Sequence, residues 1–156
     1  MNLKVRLYNA LILPIAIYAS ETWTLLDVDK RKLEVFEMRC LRAILGVTIL
    51  DRMRNDNIRK KLNIKHTITE AIKKKRLQWF GHVVRKSTEQ SHVFAAYQND
   101  FHHKRPKGRP PKRWVDQVRQ DIGLPKLTAE RIAMDRGKWK DVVNMGRARV
   151  LRGLCE

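Results

Sequence analysis

Apolar residues recur at three- and four-residue spacing along most of the chain, which is the helical period. No strand-like alternation longer than a few residues and no tandem repeat interrupts it. The first segment, Leu3 to Ser20, places Tyr8, Leu11, Ile12, Ile15 and Tyr18 or Ala19 on one stripe, and Pro14 predicts a kink in it. A second helix starts after Asp27 or Asp29, either of which can cap free amides. Its apolar face is Leu33, Phe36, Cys40, Leu41, Ile44 and Leu45, and Gly46 stops it. Asn55 or Asp56 caps a short helix through Leu62, and Thr67 caps a long one from Ile68 to about Arg85. The stripe of that long helix is Ile68, Ile72, Trp79 and Val83, widened by Leu77, Phe80 and Val84. Gly81 in its middle costs up to about 1 kcal/mol, so it marks close helix packing or a break.

Residues 99–113 break the pattern. They contain three of the five prolines, and no helix runs through the sequence KRPKGRPPKR. Pro111 can open a helix that continues to Ile122 and stops at Gly123, with Trp114, Val118 and Ile122 as its seam. Thr128 caps a short helix to about Asp135, and a last helix spans about Gly137 to Leu151. The fold class expected is all-α, a small multi-helix domain. It divides into a helical region 1–98, a basic Gly/Pro linker arm 99–113 and a C-terminal helical region 114–156.

Charge sharpens this picture. The 156 residues hold 34 Lys and Arg against 16 Asp and Glu, a net of +18. Residues 1–50 carry only +2 of it and residues 51–156 carry +16. The first third can be mostly core, whereas the rest must present a basic face to a polyanion. A hydrophobic content of 43% excludes a disordered tail, and a charged content of 32% excludes a membrane bundle. Lys4 and Arg6 followed by the apolar run Ala10–Ala19 have the outline of a secretory signal. Leu3, Val5 and Leu7 inside the basic start, with Pro14 inside the run, favour a buried, kinked helix instead. The expected location is therefore nuclear or cytoplasmic, with secretion the lesser alternative.

Candidate catalytic groups are sparse. Asp27 and Asp29 lie at a helix start, where capping accounts for them. Neither a Gly-rich phosphate loop nor a His-Glu-x-x-His is present. His66, His82, His92, His102 and His103 do not pair with a cysteine at zinc-ligand spacing. His102 and His103 read as solvated linker residues, and His82 as a half-buried histidine. Cys40 reads as a core thiol; with only Cys155 beside it, a disulfide framework and a four-cysteine zinc site are excluded. The expectation is no catalytic residue, no metal and no cofactor.

Binding signals are richer. Lys73, Lys74, Lys75 and Arg76 cover a full helical turn, and Arg85 and Lys86 continue the basic character. Arg52, Arg54, Arg59, Lys60, Lys61 and Lys65 form a second cluster. Each cation can neutralise a phosphate and release a counterion. Gly108-Arg109-Pro110, flanked by Arg105, Lys107, Lys112 and Arg113, resembles an AT-hook, whose extended core lies in a narrow minor groove. Lys107 stands where hooks usually carry Arg, so a general phosphate-contacting arm is the broader reading. Trp114 and Trp139 could stack on bases, but helical spacing with aliphatic neighbours suits a core.

Five segments in one order carry a family resemblance: LYNALILPIAIYASETWTL (7–25), LEVFEMRCLRAILGV (33–47), RLQWFGHVVR (76–85), GRPPKRWVDQVRQDIG (108–123) and AMDRGKWKDVV (133–143). Together they resemble the C-terminal part of non-LTR (LINE-type) retrotransposon endonuclease–reverse transcriptases. The resemblance implies that residues from about 1 to 85 correspond to the thumb and its following helices, and those from about 104 onward to the basic C-terminal extension. The family's Tyr-x-Asp-Asp polymerase site, its upstream Asp and its endonuclease have no counterpart here, which agrees with the missing carboxylates. A truncated copy of such an element would have this content.

The function expected is a non-catalytic, transposon-derived nucleic-acid-binding fragment that holds phosphate backbones by electrostatics. The expected contacts are Lys73, Lys74, Lys75, Arg76, Arg85, Arg105, Lys107, Gly108, Arg109, Pro110, Lys112 and Arg113. RNA, an RNA–DNA hybrid or duplex DNA would be the partner, rather than a small molecule or a membrane. The rival is a relic or protein-interaction module, whose exposed apolar residues on the first helix would drive self-association.

Overall fold

A computed structural model describes residues 3–86, 92–98, 108 and 112–145. The fold is all-α, and every regular element among the described residues is helical. The chain forms two compact units, Met1–Ser20 with Leu25–Lys73, and Glu21–Thr24 with Lys74–Glu156. The division falls inside the long helix and not at residues 99–113, because Leu77, Phe80 and Val84 share a core with residues of the C-terminal helices.

In the first unit, α1 (Leu3–Leu7) passes through a π-helical turn, Tyr8–Ile12, into α2 (Leu13–Ala16). Pro14 has no N–H to continue the α-helical ladder. The turn before it closes instead with the Leu13 N–H on the Tyr8 carbonyl. This corrects the expected stripe. Val5 and Tyr8 are buried, but Leu11, Ile12, Ile15 and Tyr18 are exposed, Ile15 and Tyr18 by 77% and 78%. A π turn inserts a residue, so a 3.6-residue stripe does not carry past it.

The next helix, α3 (Asp27–Leu45), stops as its sequence predicts but starts at Asp27 and not after it, so Leu26 is the cap residue and Asp29 lies in the first turn. The Asp29 carboxylate accepts the Leu26 N–H at 3.3 Å, and Gly46 closes the end in the left-handed conformation (φ 69°). Its buried seam is Met38 and Leu41, packed with Val5, Tyr8 and, from α4 (Asn55–Leu62), Ile58 and Leu62. The apolar pattern places Phe36 on that seam, but Phe36 is exposed and Glu37 is buried in its place. The Glu37 carboxylate accepts from Arg59 Nη2 at 2.8 Å and from the Ile68 N–H at 3.0 Å. A buried charge persists only when paired in this way. Burial, then the nearby Glu37, pushes the Tyr8 phenol up to about 12.

The long helix α5 (Ile68–Arg85) opens with the expected Thr67 cap. Thr67 Oγ1 accepts the Glu70 N–H at 3.2 Å, and Glu70 Oε2 accepts the Thr67 N–H at 3.0 Å. The second unit gathers around its later turns. A short helix that the sequence reading missed, α6 (His92–Gln98), brings Tyr97 against the core. Next come α7 (Trp114–Ile122), α8 (Lys126–Met134) and α9 (Arg136–Met145). As expected, Gly123 ends α7 in the left-handed conformation, and Val118 and Ile122 are buried. Pro111 lies outside the described residues. Thr128 is not a cap: α8 already begins at Lys126, directly after the extended Pro125.

Phe80 is the aromatic centre of this unit, with ring centroids 5.4 Å from Trp139, 5.9 Å from Tyr97 and 6.4 Å from Trp114. Both tryptophans therefore serve packing, Trp139 fully buried and Trp114 partly. Their indole N–H groups are satisfied by main-chain carbonyls, Trp114 on Glu21 at 2.7 Å and Trp139 on Leu77 at 2.9 Å.

Gly81 explains how Trp139 gets so close. A Cβ added at Gly81 would lie 2.3 Å from the Trp139 indole nitrogen, inside van der Waals contact. The helix therefore carries glycine for packing, not for a break. On an open helix Gly→Ala stabilises by up to about 1 kcal/mol. Here Gly81→Ala is expected to destabilise by about 1–3 kcal/mol through overpacking. Urea unfolding of the two proteins decides the sign, and an alanine variant of equal or greater stability would overturn the contact.

Candidate nucleic-acid interface

Along α5, Lys74, Gln78, His82 and Arg85 follow one another at helical spacing and form one outer stripe. On α9, Arg136, Lys140 and Asn144 do the same at four-residue steps. The two stripes line one groove of about 560 Å³, with Trp139 and Val143 between them. All of it belongs to the second unit.

The groove is basic and lacks a carboxylate in its lining. Lys74, Arg136 and Lys140 are exposed, without a carboxylate partner among the described residues. Arg85 is half-buried and donates from Nη1 to the Ala133 carbonyl at 2.8 Å, which fixes its head at the wall. His82 is exposed, not half-buried as the sequence suggested, and its ring stacks on Trp79 with centroids 5.2 Å apart at 21°.

The start of α9 sets the position of Arg136. Asp135 Oδ1 accepts the N–H groups of Gly137 at 2.9 Å and Lys138 at 3.1 Å, capping the helix. Those bonds, the one from Lys138 foremost, hold the Asp135 carboxyl below its ordinary range. The acid next to Arg136 in sequence is thus committed to the helix end.

The expected contacts do not share one face. Lys74 and Arg85 line the groove. Lys73 lies in the first unit's span, and Lys75 is half-buried. Arg76 does not face solvent: its side chain is 3% exposed and pairs with Asp121. The Arg76 Nε and Nη2 atoms are buried with no partner among the described residues. Lys112 is half-buried and Arg113 exposed, both just before α7, and Gly108 is exposed with φ 129°, which suits glycine. Arg105, Lys107, Arg109 and Pro110 lie outside the described residues. In the second cluster, Arg59 is taken by Glu37, whereas Arg52, Arg54, Lys60, Lys61 and Lys65 are exposed.

The sequence reading missed Gln78, Arg136, Lys140 and Asn144. A partial signal existed: positions 140 and 144 fall on one face of the last predicted helix, which was expected to start at about Gly137, one residue after Arg136. Among the described residues, no three His, Cys, Asp or Glu side chains group as a metal site, and no helix is long and apolar enough to cross a membrane.

Comparison with known proteins gives an informative match. The chain is 26% identical over 151 residues to a Caenorhabditis elegans protein described as transposon-derived and uncharacterized. It is similar to a transposon-derived protein. The match covers 91% of this chain and 54% of the relative, so the chain spans about half the relative's length. No family profile and no solved structure matches.

The Arg76–Asp121 pair separates structural from surface cations. Removing one partner of a buried pair leaves an uncompensated charge, so Arg76→Ala is expected to cost about 3–5 kcal/mol. Lys74→Ala, at an exposed site, is expected to stay within about 0.5 kcal/mol of the parent. Denaturant unfolding of both variants measures this, and equal losses would contradict the burial of Arg76.

Proposed function

We propose that this chain is a non-catalytic nucleic-acid-binding fragment, derived from the thumb and post-thumb part of a LINE-type reverse transcriptase, an RNA-directed DNA polymerase. It holds phosphate backbones by electrostatics, with RNA, an RNA–DNA hybrid or duplex DNA as partner. Its site of action would be nuclear or cytoplasmic. The observation that carries the reading is the groove whose cations Lys74, Arg136 and Lys140 have no carboxylate partner among the described residues. Such a surface repels itself and is stabilised by a polyanion. The similarity to a transposon-derived protein over 91% of the chain supports the origin. The absence of a polymerase carboxylate motif from the sequence supports a binding role without phosphoryl transfer.

Affinity for a short RNA–DNA hybrid and an equally long duplex DNA, measured across a salt series, tests this. The expected plot of log K against log salt has a slope corresponding to about six or more phosphates, with the hybrid bound more tightly. Weak binding to both near physiological salt overturns the reading.

One observation favours a second reading, a protein-interaction module or relic. Leu7, Leu11, Ile15 and Tyr18 are exposed in the first unit. An apolar patch of this kind drives association. Light scattering of nucleic-acid-free protein is then expected to show concentration-dependent self-association, and a monodisperse monomer would exclude it.

A further inference from the structure

The groove between α5 and α9 differs from a plain basic patch in two respects. Its cations are interleaved with groups that read bases, namely the amides of Gln78 and Asn144 and the imidazole of His82. Its size, about 560 Å³, is that of a small-ligand pocket, which suits a strand's phosphates with a base and not the width of a duplex. Base edges and faces become available to such a concave site only when the strand is unpaired.

We propose that this groove seats an unpaired nucleic-acid strand, with phosphates on Lys74, Arg136 and Lys140 and a base stacked on His82. The proposal rests on the nucleic-acid reading above and adds the strand state of the bound segment. The cations of α5 extend from Lys74 to Arg85, eleven residues and therefore about 16 Å of helix axis, room for several consecutive phosphates. His82 already lies on Trp79 in a near-parallel stack, so a base added to its exposed ring extends a column that is pre-formed. Pre-forming the column lowers the ordering cost of binding. Every base has a π face, so the seat tolerates sequence, and the two amides add modest preference.

The test uses the full chain, a fluorescent single-stranded oligonucleotide and a hairpin duplex of equal phosphate number, with binding followed by anisotropy across a salt series. Arg136→Glu/Lys140→Glu is expected to flatten the single-strand slope by about 1.4, at roughly 0.7 for each phosphate no longer neutralised. Its effect on the hairpin should match that of Arg31→Glu/Lys32→Glu, an equal charge change on exposed α3 positions. His82→Ala is expected to weaken single-strand binding about five-fold or more, and His82→Phe, which keeps a stacking face, to retain it. Groove variants that lose no more single-strand affinity than the α3 control, with the parent still binding, overturn the groove and leave the nucleic-acid reading intact. A parent that binds neither probe at physiological salt removes both.

Discussion

Trp139 can lie against α5 only where α5 has no side chain, and Gly81 supplies that gap. The indole then donates to the Leu77 carbonyl and packs its ring against Phe80, so one residue of α9 is fixed by a hydrogen bond and an aromatic contact at once. Everything in the groove follows from this approach. With α9 held close, Arg136, Lys140 and Asn144 stand opposite Lys74, Gln78, His82 and Arg85. A methyl group at position 81 would meet the Trp139 indole and, at 3.0 Å, Arg85 Nη1, and so would push the two stripes apart. Packing of this kind tolerates little change in volume, because interiors are as dense as organic crystals.

Much of the fold was legible because helix signals are local. The capping pair Thr67 and Glu70, the stops at Gly46 and Gly123, the end of α4 and the bounds of α5 all depend on residues within a few positions of one another. By contrast, α4 begins at Asn55 after Arg54, without the Asn55 or Asp56 cap its sequence suggested. The misreadings have non-local causes. The face of the first segment rotates after a π turn that Pro14 favours but no apolar pattern announces. Phe36 yields its place to Glu37, because a partner 22 residues away, Arg59, makes a buried carboxylate tolerable. Prolines alone suggest a boundary between compact units at residues 99–113, whereas the core packing of Leu77, Phe80 and Val84 decides it.

The candidate site was half legible for the same reason. A run of four cations covers a whole helical turn, and sequence alone cannot say which member faces inward. Arg76 does, because Asp121 on α7 meets it there. The remaining lining comes from α9, whose spacing was readable but whose neighbour was not. His82 joined the site through its stack on Trp79, three residues earlier on the same helix, a contact that spacing permits but does not require.

The distribution of the acids gives the basic surface its meaning. Among the described residues, several acidic side chains are drawn into the framework, while others such as Glu34 and Asp141 stay exposed. Asp29, Glu70 and Asp135 cap helix starts; Glu37 and Asp121 neutralise buried guanidinium groups; Glu130 accepts from Tyr97 and, with burial the larger cause, pushes that phenol upward. Such an acid can still meet a lysine close by, as Asp135 lies 3.8 Å from Lys138 Nζ and Glu130 3.8 Å from Lys126 Nζ, but neither lies in the groove lining. The groove keeps its positive charge because no carboxylate stands in its lining. A partner that neutralises it would bring its own negative charge, as the phosphate strand of the proposed reading would.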